Sequence, residues 1–469
     1  MTIVPVFSSR KSRLALFGRL MVLCLILGLG TSFVRADEID DLVKQQMEAD
    51  HIPGLSIAVV HKGKIVKIQG YGVSDLEKKT PVTPQTMFKI ASVSKQFIAS
   101  AIVLLAADGK LNLNDSITRY FPDAPETWKP ITLKHLLSHT SGLVRESPAY
   151  HPIFAKTDLE IVKATYPVPM KFQPGERWEY CNVGYFALAD IIRQVSGKPW
   201  PEFCQERIFA KAGMPDTFAT NAVPEKYGTL ISYNWDENTS KKATEFVTLR
   251  PSGAFASTVV NLANWELSLQ QGKVLSKKLQ EMMHQPTVLT DGFPYPYGFG
   301  WETDTVNAVA RVRHGGSLGG FRTEFMRFPS EKLAVIVLTN QDSANPLKIA
   351  RLVATTVAPV LKYKSIKDTD PAFSATVKKL LESWAEGTVD SSIFTPGCWK
   401  VFEPRFKNPN AIKGFKSLGP ITGFSLVESR QTGDFQLTRH RIIFASQTQL
   451  LQIVRTKAGL IADMRLEDE

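Results

Sequence analysis

Apolar residues recur at helical spacing over residues 38–50, where Ile39, Leu42, Val43 and Met47 share one face and predict an amphipathic helix. The pattern then shortens. Leu55-Ser56-Ile57-Ala58-Val59-Val60 is a nearly continuous apolar run, and Ile65 to Gly72 is a second β-rich run. The Lys62-Gly63-Lys64 turn between them predicts a hairpin. A long mixed stretch follows, with helical spacing over Gln96–Ala107, Leu133–Leu137 and Tyr185–Val195. Strands return at Thr323–Arg327 and Leu333–Thr339, separated by Pro329-Ser330-Glu331-Lys332. Strands at both ends with helices between them predict one α+β domain over residues 37–360, a sheet carrying a helical subdomain.

The pattern breaks at residues 361–372, a polar stretch ending near Pro371 that suits a linker. Beyond it, a helix over residues 373–386 precedes short strands at Phe424–Glu428, Phe435–Ala445, Leu450–Arg455 and Leu460–Leu466. Residues 373–469 therefore read as a second, smaller α+β domain. Its helix and strand meander resemble the cone-shaped folds of ketosteroid-isomerase-like and cystatin-like modules. No convergent set of titratable residues stands out in it, so a binding or stabilising accessory is expected there rather than a second enzyme.

Composition narrows the class. The chain has 469 residues, 43% hydrophobic and 22% charged, enough to bury a core and unlike a disordered or collagen-like sequence. Five basic residues (Arg10, Lys11, Arg13, Arg19, Arg35) and no acid fall in residues 1–36, around the apolar run Leu20–Leu29. Val34-Arg35-Ala36 closes that segment, which predicts a signal peptide cleaved after Ala36 and a periplasmic or secreted protein without stable membrane insertion. The rest is only mildly basic and has no Lys/Arg run of the kind that binds nucleic acid. Cys181, Cys204 and Cys398 remain after cleavage, an odd number with no Cys-x-x-Cys pair, so one disulfide at most can form. His135 and His139 sit four apart, but Leu136 stands where a zinc protease needs its glutamate. Two helix histidines with ordinary hydrogen bonds are the expectation. Oligomeric state is left open.

The candidate chemistry begins at Ser92-Val93-Ser94-Lys95, at the start of the helix that runs to Ala107. One helical turn brings the Lys95 amine near the Ser92 hydroxyl, and a serine at its free pKa needs such a neighbour to act as a nucleophile. The spacing is weak evidence alone, because Ser8-Ser9-Arg10-Lys11 matches it too. Tyr180-Cys181-Asn182, which is the sole Tyr-x-Asn, and His314-Gly315-Gly316-Ser317 follow in order.

Together these boxes resemble the penicillin-recognising serine hydrolases: class C β-lactamases, DD-carboxypeptidases, and related D-aminopeptidases and esterases. The segments Ile131–Leu143, Val195–Pro199, Ala212–Met214, Tyr297–Trp301 and Leu338–Asn340 fit the same family. The resemblance implies a β-lactamase/transpeptidase-like antiparallel sheet flanked by helices. It implies a covalent acyl-enzyme on amide or ester substrates (a D-amino-acid peptide, a small ester or a β-lactam) and no metal or organic cofactor. Ser92 would be acylated, Lys95 would share in proton transfer, and Tyr180 would act as general base through a phenolate that Lys95 stabilises. Asn182 would hold a substrate amide or carbonyl. His314 stands where many relatives carry lysine, and His-x-Gly occurs in the peptidase and esterase branches. Gly316 and Ser317 complete that box, and the Ser92 and Ser317 N–H groups would form the oxyanion hole.

Two other readings compete. One is a non-catalytic peptidoglycan- or peptide-binding protein that keeps the fold. The other is an α/β-hydrolase, since Gly315-Gly316-Ser317-Leu318-Gly319 matches a nucleophile elbow with Asp342 and His440 downstream. That elbow needs a helix after the serine, and the alternating run from Phe321 to Phe328 reads as a strand.

Overall fold

The computed structural model describes residues 38–151, 153, 156–245 and 250–469. The predicted signal peptide, with Cys24 in it, lies outside the described residues. The first described element is the predicted helix, over residues 38–49. The hairpin follows as strands Gly54–His61 and Lys64–Asp75. The chain then leaves the sheet and returns to it as strands Glu302–Val306, Val309–Leu318, Phe321–Phe328 and Leu333–Thr339.

These strands form one seven-stranded sheet, completed by Thr80–Pro81, in which the Leu333–Thr339 strand pairs antiparallel with Gly54–His61. Both faces of the first strand are covered, which is why it reads as an unbroken apolar run. Leu55, Ile57 and Val59 point to one side, where Ile349, Val353 and the helix of residues 38–49 pack. Ala58 and Val60 point to the other, toward Phe97, Ile98 and the helical insertion. That insertion holds helices Lys95–Ala107, Leu133–Leu137 and Val183–Ser196, close to the predicted spans.

Residues 421–468 form a four-stranded antiparallel meander with its own apolar cluster around Val377, Trp384 and Ile453. Helix Pro371–Glu386 precedes it, so the last residues of the expected linker are helical. Earlier in that stretch Leu361 and Tyr363 are buried, and the Ile366 N–H donates to the Leu426 carbonyl (2.9 Å). Two helices, Pro396–Phe406 and Pro409–Lys416, were not predicted. The meander is anchored to the main sheet by charge: buried Arg311 contacts Asp304 at 2.5 Å and Glu467 at 3.2 Å. No helix among the described residues is long and apolar enough to cross a membrane.

Candidate active site

The turn Ala91–Ser94 delivers Ser92 to the edge of a cleft and runs directly into the Lys95–Ala107 helix. Ala91 sits at φ 47°, a left-handed conformation that costs a non-glycine residue about 1 kcal/mol or more. The surroundings hold it there. Ile90 donates its N–H to the Phe255 carbonyl (2.9 Å), and Phe255 donates back to Ser94 Oγ (3.0 Å). Thr323 Oγ1 donates to the Ile90 carbonyl (3.0 Å). A Cβ on Gly316 would lie 2.4 Å from that same carbonyl oxygen and 2.2 Å from Thr323 Oγ1. Gly316 is what lets the Val309–Leu318 strand, with His314 and Ser317, press against the Ser92 turn.

Lys95 is fully buried, and its Nζ lies 3.4 Å from Ser92 Oγ. It also donates to Asn182 Oδ1 (2.9 Å) and to the Ser252 carbonyl (2.8 Å). Asn182 caps the Val183–Ser196 helix by position, yet its side chain makes no capping bond. It turns into the cleft, where its amide donates to Glu146 (2.5 Å). That contact fixes which end of the amide faces Lys95, because a carboxylate only accepts. Both Glu146 oxygens accept from one Arg250 nitrogen, Nη2 (2.7 Å each), and Arg250 Nε donates to Ser252 Oγ (3.0 Å). The ring Lys95–Asn182–Glu146–Arg250–Ser252 is thus closed on Lys95. Burial first, then the Arg250 and Arg145 charges, push the Lys95 amine well below its ordinary pKa, with Glu146 opposing them.

Tyr180 is partly exposed and hydrogen-bonded to Ser92, with Lys95 Nζ 4.6 Å from its ring centroid. Its phenol is pushed up by burial, against the Ser92 bond and the Arg145 and Arg250 charges. Beside it runs a chain with a defined direction. The Cys181 N–H donates to His139 Nδ1 (3.1 Å), so His139 Nε2 carries the proton and donates to Tyr297 Oη (3.1 Å). Tyr297 then donates to His314 Nε2 (3.0 Å), and His314 Nδ1 donates to the Gly315 carbonyl (2.7 Å). Every imidazole in this chain is neutral. Burial agrees, holding His314 down at about 4 and His139 well below the usual histidine range.

The structure gathers Ser92, Lys95, Tyr180, Asn182 and His314 in one cleft, with Gly316 and Ser317 on the strand beside it. It corrects the expectation for the histidines: His135 lies within the Leu133–Leu137 helix, but His139 lies past it at φ 61° and is buried against the Tyr180 and Tyr297 rings. The α/β-hydrolase reading fails on placement. Ser317 is paired with Arg322 in a strand hairpin, His440 bonds Ser374 in the C-terminal meander, and Asp342 accepts from the Trp235 N–H. Cys181 is packed, its thiol donating to the Val144 carbonyl (3.2 Å) and pushed up to about 11 by burial. The three described cysteines are unpaired. Tyr185 and Trp301 are core aromatics, whereas Trp178 lines the cleft. Among the described residues, no group of three or more His, Cys, Asp or Glu side chains is arranged to hold a metal ion.

Glu146, Arg250, Ser252 and the directional role of Tyr297 were not foreseen. Tyr297 sits in a segment that fitted the family pattern, but nothing in its spacing points to His314.

The sequence profile of the family described as Beta-lactamase matches residues 39–358. Penicillin-binding protein 4* of Bacillus subtilis (strain 168) is 29% identical over 312 residues, which is 61% of this chain and 68% of that protein. D-amino acid amidase from Ochrobactrum anthropi SV3, solved with L-phenylalanine, superposes with a TM-score of 0.59 at 25% identity, covering 71% of this chain and 98% of its own. An octameric penicillin-binding protein homologue from Pyrococcus abyssi shares the fold (TM-score 0.62, 20% identity) over 92% of this chain and 98% of its own.

Proposed function

Because the chain belongs to the β-lactamase family and is a serine hydrolase of the β-lactamase/DD-peptidase type, we propose that Ser92 is its acylated nucleophile and Lys95 the group that takes the hydroxyl proton. The carrying observation is that Lys95 is fully buried 3.4 Å from Ser92 Oγ, with no carboxylate paired to it among the described residues. A neutral amine has two N–H donors and one lone pair. The Asn182 and Ser252 oxygens take the donors, which leaves the lone pair for the Ser92 hydroxyl.

The shift of the Tyr180 phenol exchanges the part first assigned to it. A phenol held protonated gives a proton to the leaving group, and the Lys95 amine rather than a phenolate receives the one from Ser92. Attack by Oγ forms the C–O bond of a tetrahedral intermediate whose oxyanion accepts from the Ser92 and Ser317 N–H groups. Collapse breaks the bond to the leaving group as Tyr180 protonates it, and the Lys95 ammonium returns the Ser92 proton to the phenolate. Water then gives a proton to the free Lys95 amine and attacks the acyl carbon, and the acid leaves as that proton passes back to Ser92 Oγ. Asn182 orients the amine and offers its amide edge to the substrate.

Substrates are amides or esters. His314 supplies no positive charge and both of its nitrogens are engaged, so a substrate carboxylate gains little there. This supports a D-amino-acid amide or peptide, or a small ester, ahead of a β-lactam, in keeping with the likeness to a D-amino acid amidase. The pattern of residues 1–36 supports export, which the mass of the mature protein tests: cleavage after Ala36 removes those residues.

The reading itself is tested by a fluorophosphonate probe followed by peptide mass analysis. The expected result is label on Ser92, its loss with all turnover in Ser92→Ala, and activity within about tenfold of wild type in Ser317→Ala, which keeps its N–H. Label on Ser317, or no label and no turnover in the wild type, defeats the assignment; the latter restores the binding-protein reading.

A further inference from the structure

A cavity of about 950 Å³ opens beside Tyr180, and fewer than half of its lining residues belong to the sheet and its helical insertion. One wall carries Arg145, Trp178 and Tyr180, with Tyr295 stacked face to face on Trp178 (centroids 4.7 Å apart, planes 14°). The opposite wall comes from the C-terminal region. Helix Pro396–Phe406 presents Val401 and Phe402 to the space, and strand Ile461–Asp468 presents Arg465. The two walls meet without a gap at one end, where Phe293 packs edge-on against Phe435 (5.2 Å) and the Arg465 guanidinium lies 5.4 Å from the Tyr295 ring.

One feature of this space stands out. Val401 lines it and is 57% exposed, on a helix that otherwise hides its large apolar side chains better. The other wall adds the stacked Trp178 and Tyr295 rings. Apolar surface on both walls calls for a ligand with an apolar body.

We propose that the C-terminal region completes a substrate subsite: the cavity receives the leaving-group side of an amide or ester whose chain continues, past the scissile bond, into an apolar or aromatic group. The side is set by Tyr180, which lines the cavity and, on the acyl-enzyme reading that this inference rests on, protonates the leaving group. The occupant is substrate rather than a second protein, because the space is continuous with the catalytic tyrosine. The accessory region thereby selects leaving groups by length, and the catalytic boxes alone do not define specificity.

The test uses the full chain and two acetate esters with a common acyl group and phenols of similar acidity: phenyl acetate and 4-(2-phenylethyl)phenyl acetate. Wild type is expected to prefer the longer ester by about tenfold or more in kcat/KM, the size of effect that an added apolar group earns in a fitted pocket. Val401→Trp, which fills the space, is expected to remove that preference while leaving phenyl acetate within about twofold. Val401→Ala, which cannot block it, is expected to lose only part of the preference, about threefold. No preference in the wild type, or equal losses on both esters in Val401→Trp at unchanged Tm, overturns the subsite while leaving the Ser92 assignment standing. Failure of wild type on both esters, together with no fluorophosphonate label, defeats the Ser92 assignment and this inference with it.

Discussion

Lys95 and Arg311 are both buried cations set against the same sheet, and they have opposite fates. Lys95 has hydrogen bonds to neutral oxygens and no paired carboxylate among the described residues, so burial and the nearby Arg250 and Arg145 push its pKa well down. Arg311 is held by Asp304 and Glu467, which more than offset the cost of its burial and keep it a cation. His314 and Arg313, neighbours on the strand that also carries Arg311, repeat the contrast. His314 faces the cleft and is neutral, whereas Arg313 faces the other way and pairs with Glu302 and Glu324. Burial alone decides nothing about a charge; the counter-ion decides whether the site is a reactive base or a structural clamp.

Breaking the reactive half should give the largest effect. Lys95→Met is expected to lower kcat/KM by about 10³–10⁴-fold, and Lys95→Arg, which cannot lose its proton, is expected to give no rescue. Tyr180→Phe keeps the ring and removes only the phenol, so kcat should fall by about 10²–10⁴-fold with little change in Tm. Steady-state kinetics on an activated ester check both. Breaking the clamp should leave Arg311 buried and unpaired: Asp304→Ala with Glu467→Ala is expected to cost about 3–5 kcal/mol in urea unfolding. Adding Arg311→Met should recover much of that loss.

The next test sharpens the comparison by tuning Lys95 from a distance. The neutral amine is the active form, so the acidic limb of the kcat/KM profile follows the Lys95 pKa. Glu146 raises that pKa and Arg250 lowers it. Glu146→Gln should therefore move the limb to lower pH and Arg250→Met should move it to higher pH, each by about half a pH unit or more. Shifts of the same sign would mean that the pair acts only through packing. The smallest effect is expected at Cys181: Cys181→Ser keeps a donor for the Val144 carbonyl and should stay within about threefold of wild-type turnover.

The order of these effects matches what could be read before the fold was known. Ser92, Lys95, Tyr180 and His314 stand in short boxes whose chemistry is local, and the main strands announce themselves by period. Glu146 and Arg250 do not. Each is an ordinary charged residue in a loop, and they meet because the helical insertion folds back over 104 residues of chain. The helices Pro396–Phe406 and Pro409–Lys416 escaped for a different reason. Each starts with proline; the first carries a second proline, Pro404, inside it, and the second mixes asparagine, lysine and glycine, so their sequences resemble turns until packing against Trp384 supplies an apolar partner. The walls of the cavity beside Tyr180 were invisible because they are made by two regions that no spacing rule connects.

The pairing of the first strand with the last has a kinetic consequence. Gly54 is bonded to Asn340 across 286 residues of chain. The strand Gly54–His61 is apolar on both faces, and on one edge its partner is the Leu333–Thr339 strand. During synthesis it must wait, with that edge open, until nearly three quarters of the protein has been made. Contacts of such long range slow folding and leave sticky intermediates exposed. On the export proposed above, the same delay is useful: the sheet that would lock the polypeptide into a shape too bulky to thread cannot close until its distant half has arrived.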